Sequence, residues 1–187
     1  GGDNMQKLSK ILLIAMVLLL LFLESYMIYS IYIASKIEIN WALVFVLLLL
    51  SVILIIANIV VGLIGLNNKR NEKQILSDIR ISLLAKVLLI PFFISNFYMW
   101  FLFSMAFLIV PGLQIFFTIT ILGIIWTYGI MLATSSYSIA ALISLYRKNK
   151  IKLSTTVINV VLQLIFVLDV ISYIVFYICN RKKIKEN

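Results

Sequence analysis

From Ile81 to Tyr146 the chain runs for 66 residues with a single side chain of the Asp, Glu, Lys or Arg type, Lys86. No water-soluble domain of this size could hide so long an apolar run, and about 18 to 20 such residues already suffice for one helical crossing of a bilayer. The run therefore holds at least two crossings. Their number decides on which side of the membrane the rest of the chain emerges.

Composition points the same way. The chain is 64% hydrophobic and 12% charged, with mean hydropathy +1.15, whereas close to a quarter of the residues of a globular chain are charged. The expected class is all-α, a polytopic helical bundle in a membrane. Its 16 Lys and Arg outnumber 7 Asp and Glu, but they sit in short clusters between apolar runs. That is the pattern of loops held on the cytoplasmic face, not of a nucleic-acid surface. A single cysteine, Cys179, excludes an internal disulfide and a Cys-only metal site, and the chain has no His. Without the commonest general base and metal ligand, no catalytic activity, metal or other cofactor is expected. Gly1 to Asn4, ahead of Met5, read as a remnant of cloning and are set aside from the single transmembrane domain, residues 5–187.

Five spans are expected, over about residues 11–34, 41–65, 81–110, 113–146 and 155–179. The first is aliphatic up to Glu24, close to its middle at ~1.5 Å per residue; Ser25, Tyr29 and Tyr32 then share a face and suit an outer aromatic belt. The link Ser35 to Asn40 carries no inside signal. Trp41 opens the second span as an interfacial anchor, and Asn58 within it reads as a bond across to another helix. In the polar link that follows, Asn71 and Gln74 resemble a capping box, so a helix starts there and enters the membrane. Along it Asp78, Ser82 and Lys86 recur at i, i+4, i+8, a polar line descending into the bilayer, with Lys86 near enough to the surface to snorkel.

Pro91 should kink the third span, and Pro111-Gly112 is the strong turn signal that separates it from the fourth. Beyond the turn, Thr120, Gly123, Thr127, Thr134 and Ser138 recur at helical spacing. This small-residue face resembles those by which membrane helices approach closely. The last span places Asn159, Gln163, Asp169 and Tyr173 on one third of its circumference, a polar face that should point inward.

The distribution of basic residues does not choose between five and six spans. With the N-terminus inside, either count leaves ten basic residues inside and five outside. The turn signal favours five, and six fits the run's length better.

Glu24 and Asp169 both fall near mid-span, where a carboxylate costs about 2.5 to 3.5 kcal/mol on insertion scales and should face the bundle interior. The resulting expectation is a small transporter or solute-binding subunit, in which Glu24, Asp169, Gln163, Asn159, Tyr173 and Asn58 bind a cation, proton or solute. The alternative is a non-catalytic accessory, immunity-type or assembly protein whose acids only bridge helices. Its support is the shortage of Gly and Pro, 7 and 2 in the chain, since transporters with broken helices tend to use more. The lipid bilayer is the expected partner, with a small solute or another membrane protein beside it and no nucleic acid. A multi-pass protein of a bacterial cell membrane with a cytoplasmic N-terminus is the expected setting.

Overall fold

The computed structural model describes residues 2–33, 40–65, 71–110, 112, 117–165 and 168–185, and all regular structure among them is helical. The helices are α1 (Gly2–Ile33), α2 (Trp41–Ile64), α3 (Glu72–Leu88), α4 (Ile90–Ile109), α5 (Phe117–Arg147), α6 (Leu153–Leu162) and α7 (Leu168–Lys185). Four stretches among the described residues are long and apolar enough to cross a membrane: Gln6–Ser30, Trp41–Ile64, Ile90–Ile109 and Phe117–Arg147. The molecule is a multi-pass helical membrane bundle. Helices suit that setting because they satisfy their own backbone donors and acceptors where no water can.

Contacts between helices define two ends. At one, here called basal, Gln6 donates to the Gln74 carbonyl and to Asp78, both at 3.2 Å. Lys150 pairs there with Glu72 at 3.4 Å, so the starts of α1 and α3 lie beside the end of α5. At the opposite, apical end, the Asn40 backbone N–H donates to the Tyr26 hydroxyl at 3.2 Å. α1 thus rises, α2 descends, α3 and α4 rise and α5 descends.

α3 starts at the Asn71–Gln74 capping box, which satisfies donors that a first helical turn leaves unpaired. It runs on into α4 through Leu89, with Leu89 N to Ala85 O at 3.0 Å and Phe93 N to Leu89 O at 2.9 Å. The two run on as one helical segment, interrupted at Leu89, two residues ahead of Pro91, which withholds a backbone donor. Gly112 has φ +88°, the conformation of the second central residue of a type II turn; Pro111 lies outside the described residues. Because Glu72 and Lys150 meet at the same end, the long apolar run crosses an even number of times. It crosses twice.

The last apolar segment takes a path that the sequence reading does not anticipate. Read as a span, residues 155–179 form a fifth crossing; in the structure they form a re-entrant hairpin. α6 rises from the basal end for 10 residues, about 15 Å and half of a hydrocarbon core. It ends at Gln163 with the tighter bonds Leu164 N to Val161 O, 3.0 Å, and Ile165 N to Leu162 O, 3.3 Å. Beyond the break Asp169 lies level with Ser135 and Lys86. Tyr173 and Phe176 then belong to the basal apolar cluster of Ile75, Ile79, Ala141, Leu142 and Leu145. Successive turns of α7 therefore descend, and the segment leaves by the end at which it entered. Neither Gly nor Pro marks the break.

A second apolar cluster fills the bundle above the hairpin: Leu13, Met16, Val17 and Leu20 of α1, Leu89, Phe92 and Phe93 of the α3–α4 segment, and Ile130 and Met131 of α5. On α5 the residues Thr120, Gly123, Thr127, Thr134 and Ser138 are all buried. Gly123 lies against the Trp100 indole of α4, and Gly62 of α2 lies against Ser136. A side chain at either glycine would overlap its neighbour, so both are places where backbones approach closely.

Candidate functional site

Lys86 does not snorkel. Its side chain is 0% exposed and forms an ion pair with Asp169 at the tip of the hairpin, whose side chain is 3% exposed. The α3 residues before Lys86 lead it inward along the Asp78–Ser82–Lys86 face, and all three side chains are buried. Asp169 lies in the first turn of α7, and Lys86 in the last turn of α3. Asp169 sits at the helix end whose dipole favours it.

Around the pair the polar groups converge from four helices. Lys86 Nζ donates to Ser135 Oγ at 3.2 Å and to Gln163 Oε1 at 3.3 Å, while Ser135 Oγ donates to Asp169 at 3.0 Å. The ammonium also stands over the Tyr173 ring, 5.1 Å from its centroid, an attraction of about 2 kcal/mol where water is excluded. Below it, Ser82 Oγ and Ser138 Oγ share a hydrogen bond of 2.5 Å, and Ser82 Oγ is 3.2 Å from the Thr134 carbonyl. Two buried polar atoms at the site stay unmet among the described residues: Gln163 Nε2 and the Tyr173 hydroxyl, which faces the Ser82–Ser138 pair without forming a hydrogen bond of normal geometry. Burying such a group unpaired costs on the order of 1–3 kcal/mol.

Of the residues that the sequence singles out, the structure brings together Asp169, Gln163 and Tyr173. Asn58 belongs to a separate junction: its amide donates to Leu54 O at 2.8 Å and Leu12 O at 3.2 Å, and its oxygen accepts from the Tyr137 hydroxyl at 2.8 Å. It ties α1, α2 and α5 together. Asn159, half-buried, donates within its own helix to Thr155 O at 2.8 Å. Glu24 is half-buried and takes no part in the network. With Gln6 level with Asp78, Glu24 stands about 27 Å along α1 from that level while Lys86 stands about 12 Å along α3. The joint Glu24–Asp169 site expected from sequence is therefore not formed: Asp169 pairs with Lys86, and Glu24 lies toward the apical end.

Lys86 is the functional candidate that sequence reasoning assigned elsewhere. Its signal was present: the lone charge of the apolar run, on a helical line of polar residues, with one acid of opposite sign in the last segment. The donors at the site are an ammonium, a carboxylate, an amide and hydroxyls. Such a set suits a proton, a small cation or a polar solute. Among the described residues no three His, Cys, Asp or Glu side chains come together as a metal would require.

No curated protein and no solved structure matches the chain. A family model does match, over residues 3–183. With nearly its whole length covered, the chain belongs to DUF6652, a family of unknown function.

Proposed function

We propose that the protein is a small translocating or solute-binding protein of the cell membrane, and that Lys86 and Asp169 form its charge-carrying centre. The observation that carries this reading is the burial of a complete ion pair at a helix break inside the bundle. Apolar side chains of similar volume would hold the helices at least as well, because desolvating two charges costs about as much as their attraction returns. Ionisable side chains at membrane depth commonly mark ion or substrate pathways, and interrupted helices are where transporters build their sites. Unmet hydrogen-bonding capacity at Gln163 and Tyr173 adds to the case.

The accessory or assembly reading keeps one observation of its own. α7 packs chiefly on α3 and α6, so the ion pair also pins the hairpin into the bundle. Under that reading the charge matters only as a fastener.

The basal end is assigned to the cytoplasm. Among the described residues, Lys7, Lys10, Lys73, Arg80, Arg147, Lys148, Lys150 and Lys152 lie in the basal half, and the α7 tail returns to it. With the hairpin re-entrant, the even split of basic residues obtained with five or six spans gives way to a strong positive-inside bias.

Reconstitution on a solid-supported membrane tests the reading. Concentration steps of H⁺, Na⁺, K⁺ and a mixture of amino acids should evoke a current in wild-type protein. Asp169→Asn, which keeps shape and hydrogen bonding but cannot carry the charge, should abolish it. Equal currents in folded wild type and variant, or none in either, would leave the accessory reading.

A further inference from the structure

Resting on the translocation reading, we infer that the carried species is the proton, and that it reaches Asp169 from the basal end along a built relay of Asp78, the Ser82–Ser138 hydroxyl pair and Tyr173. Asp78, Ser82 and Lys86 are one helical turn apart, so the polar face of α3 spans about 12 Å from its basal mouth to the ion pair. At the mouth Asp78 meets the half-buried Gln6. Four residues deeper the two serine hydroxyls are 2.5 Å apart, a bond in which either atom can donate. The Tyr173 hydroxyl faces that pair, one turn of α7 from Asp169. Each of these side chains is buried, yet none is apolar.

In the opposite direction the described residues packed over the pair are mostly apolar. Above the pair stand Leu89, Phe92, Phe93, Ile130 and Met131, all buried in the apical apolar cluster. Among the described residues, the continuous polar line to Asp169 runs from the basal side.

The titratable and charged groups that meet Asp169 among the described residues are Lys86 from α3 and Tyr173 on its own helix. α6 contributes the neutral Gln163, and α5 the neutral Ser135. Proton delivery adds one proton and exchanges only O–H bonds. Tyr173 gives its phenolic proton toward Asp169, through a water that its unmet hydroxyl would bind, while its oxygen takes a proton from the serine pair. Asp78 and basal water refill that pair. Asp169 becomes neutral, and Lys86 is left as an unpaired ammonium, which releases the hairpin tip.

Infrared spectroscopy of the whole protein in lipid nanodiscs tests the relay without any transport assay. After a rapid acid pulse, the C=O stretch of a protonated carboxyl should appear, and it should be missing in Asp169→Asn. Should that variant fail to fold, ¹³C-aspartate labelling identifies the band as an aspartic acid, and its presence at equilibrium in Asp78→Asn, whatever its rate, excludes Asp78 as its source. Tyr173→Phe removes only the unmet hydroxyl and retains the ring beneath Lys86. It should fold as wild type and slow the appearance of the band by about tenfold or more. Ser82→Ala with Ser138→Ala should slow it comparably, and Phe92→Leu in the apical cluster should not. An unchanged rate in Tyr173→Phe would overturn the relay and leave translocation through Asp169 standing. A current indifferent to Asp169→Asn, by contrast, would remove the translocation reading itself.

Discussion

Lys86 and Asp169 are 83 residues apart in the chain, and each is costly in this interior without the other. Removing one partner of a buried pair leaves an uncompensated charge and typically costs about 3–5 kcal/mol, whereas replacing both with apolar groups is often neutral. Thermal unfolding in detergent should therefore show large losses for Lys86→Met and for Asp169→Leu. The double variant should be more stable than either single one. Additive losses would mean that the two charges do not compensate one another. In the sequence Asp169 could be read as inward-facing because it shares a helical face with Gln163 and Tyr173. Lys86 could not be read so, since a lysine six residues into an apolar run has a solvated alternative and only the position of α7 removes it.

At the scale of elements, the small-residue face of α5 is visible as a period and its partners are not. Gly123 lies against Trp100, so a Leu at 123 must displace the indole; overpacking of this kind costs typically 1–3 kcal/mol. Among the described residues Thr127 Oγ1 bonds only the Gly123 carbonyl of its own helix, at 2.9 Å. Gly123→Leu should consequently lower the melting temperature of the purified protein clearly, while Thr127→Ala should leave it nearly unchanged. Similar effects of the two would mean that the α4–α5 contact is loose. The break between α6 and α7 was beyond the reach of sequence, because none of the usual breakers is present at Gln163. Tertiary partners meet the groups released there: the Leu164 carbonyl accepts from the Tyr128 hydroxyl at 3.0 Å, and Gln163 Oε1 accepts from Lys86.

For the whole molecule, the re-entrant hairpin reverses the side on which the tail emerges. Five crossings would put the C-terminus opposite the N-terminus; the descent of α7 brings the two to the same end. A reporter active only in the cytoplasm should thus give strong signals when fused after Asn187 and when fused ahead of Met5. Inserted in the α1–α2 connection, it should be silent. A silent C-terminal fusion would restore a crossing of α6–α7.

The class of this protein was determined by the sequence alone, because a 66-residue run with one charge leaves a chain no soluble alternative and helices are the form that closes their own hydrogen bonds in lipid. Local signals also carried the capping box at Asn71, the helix interruption ahead of Pro91 and the inward face of Asp169, each being chemistry between residues a few positions apart. The hairpin, the pairing of Lys86 and the isolation of Glu24 came only from the tertiary structure. A 10-residue helix followed by another apolar helix has the same hydrophobicity whether it crosses or returns. What decides between the two is the cost of leaving Lys86 and Asp169 apart in an interior without water.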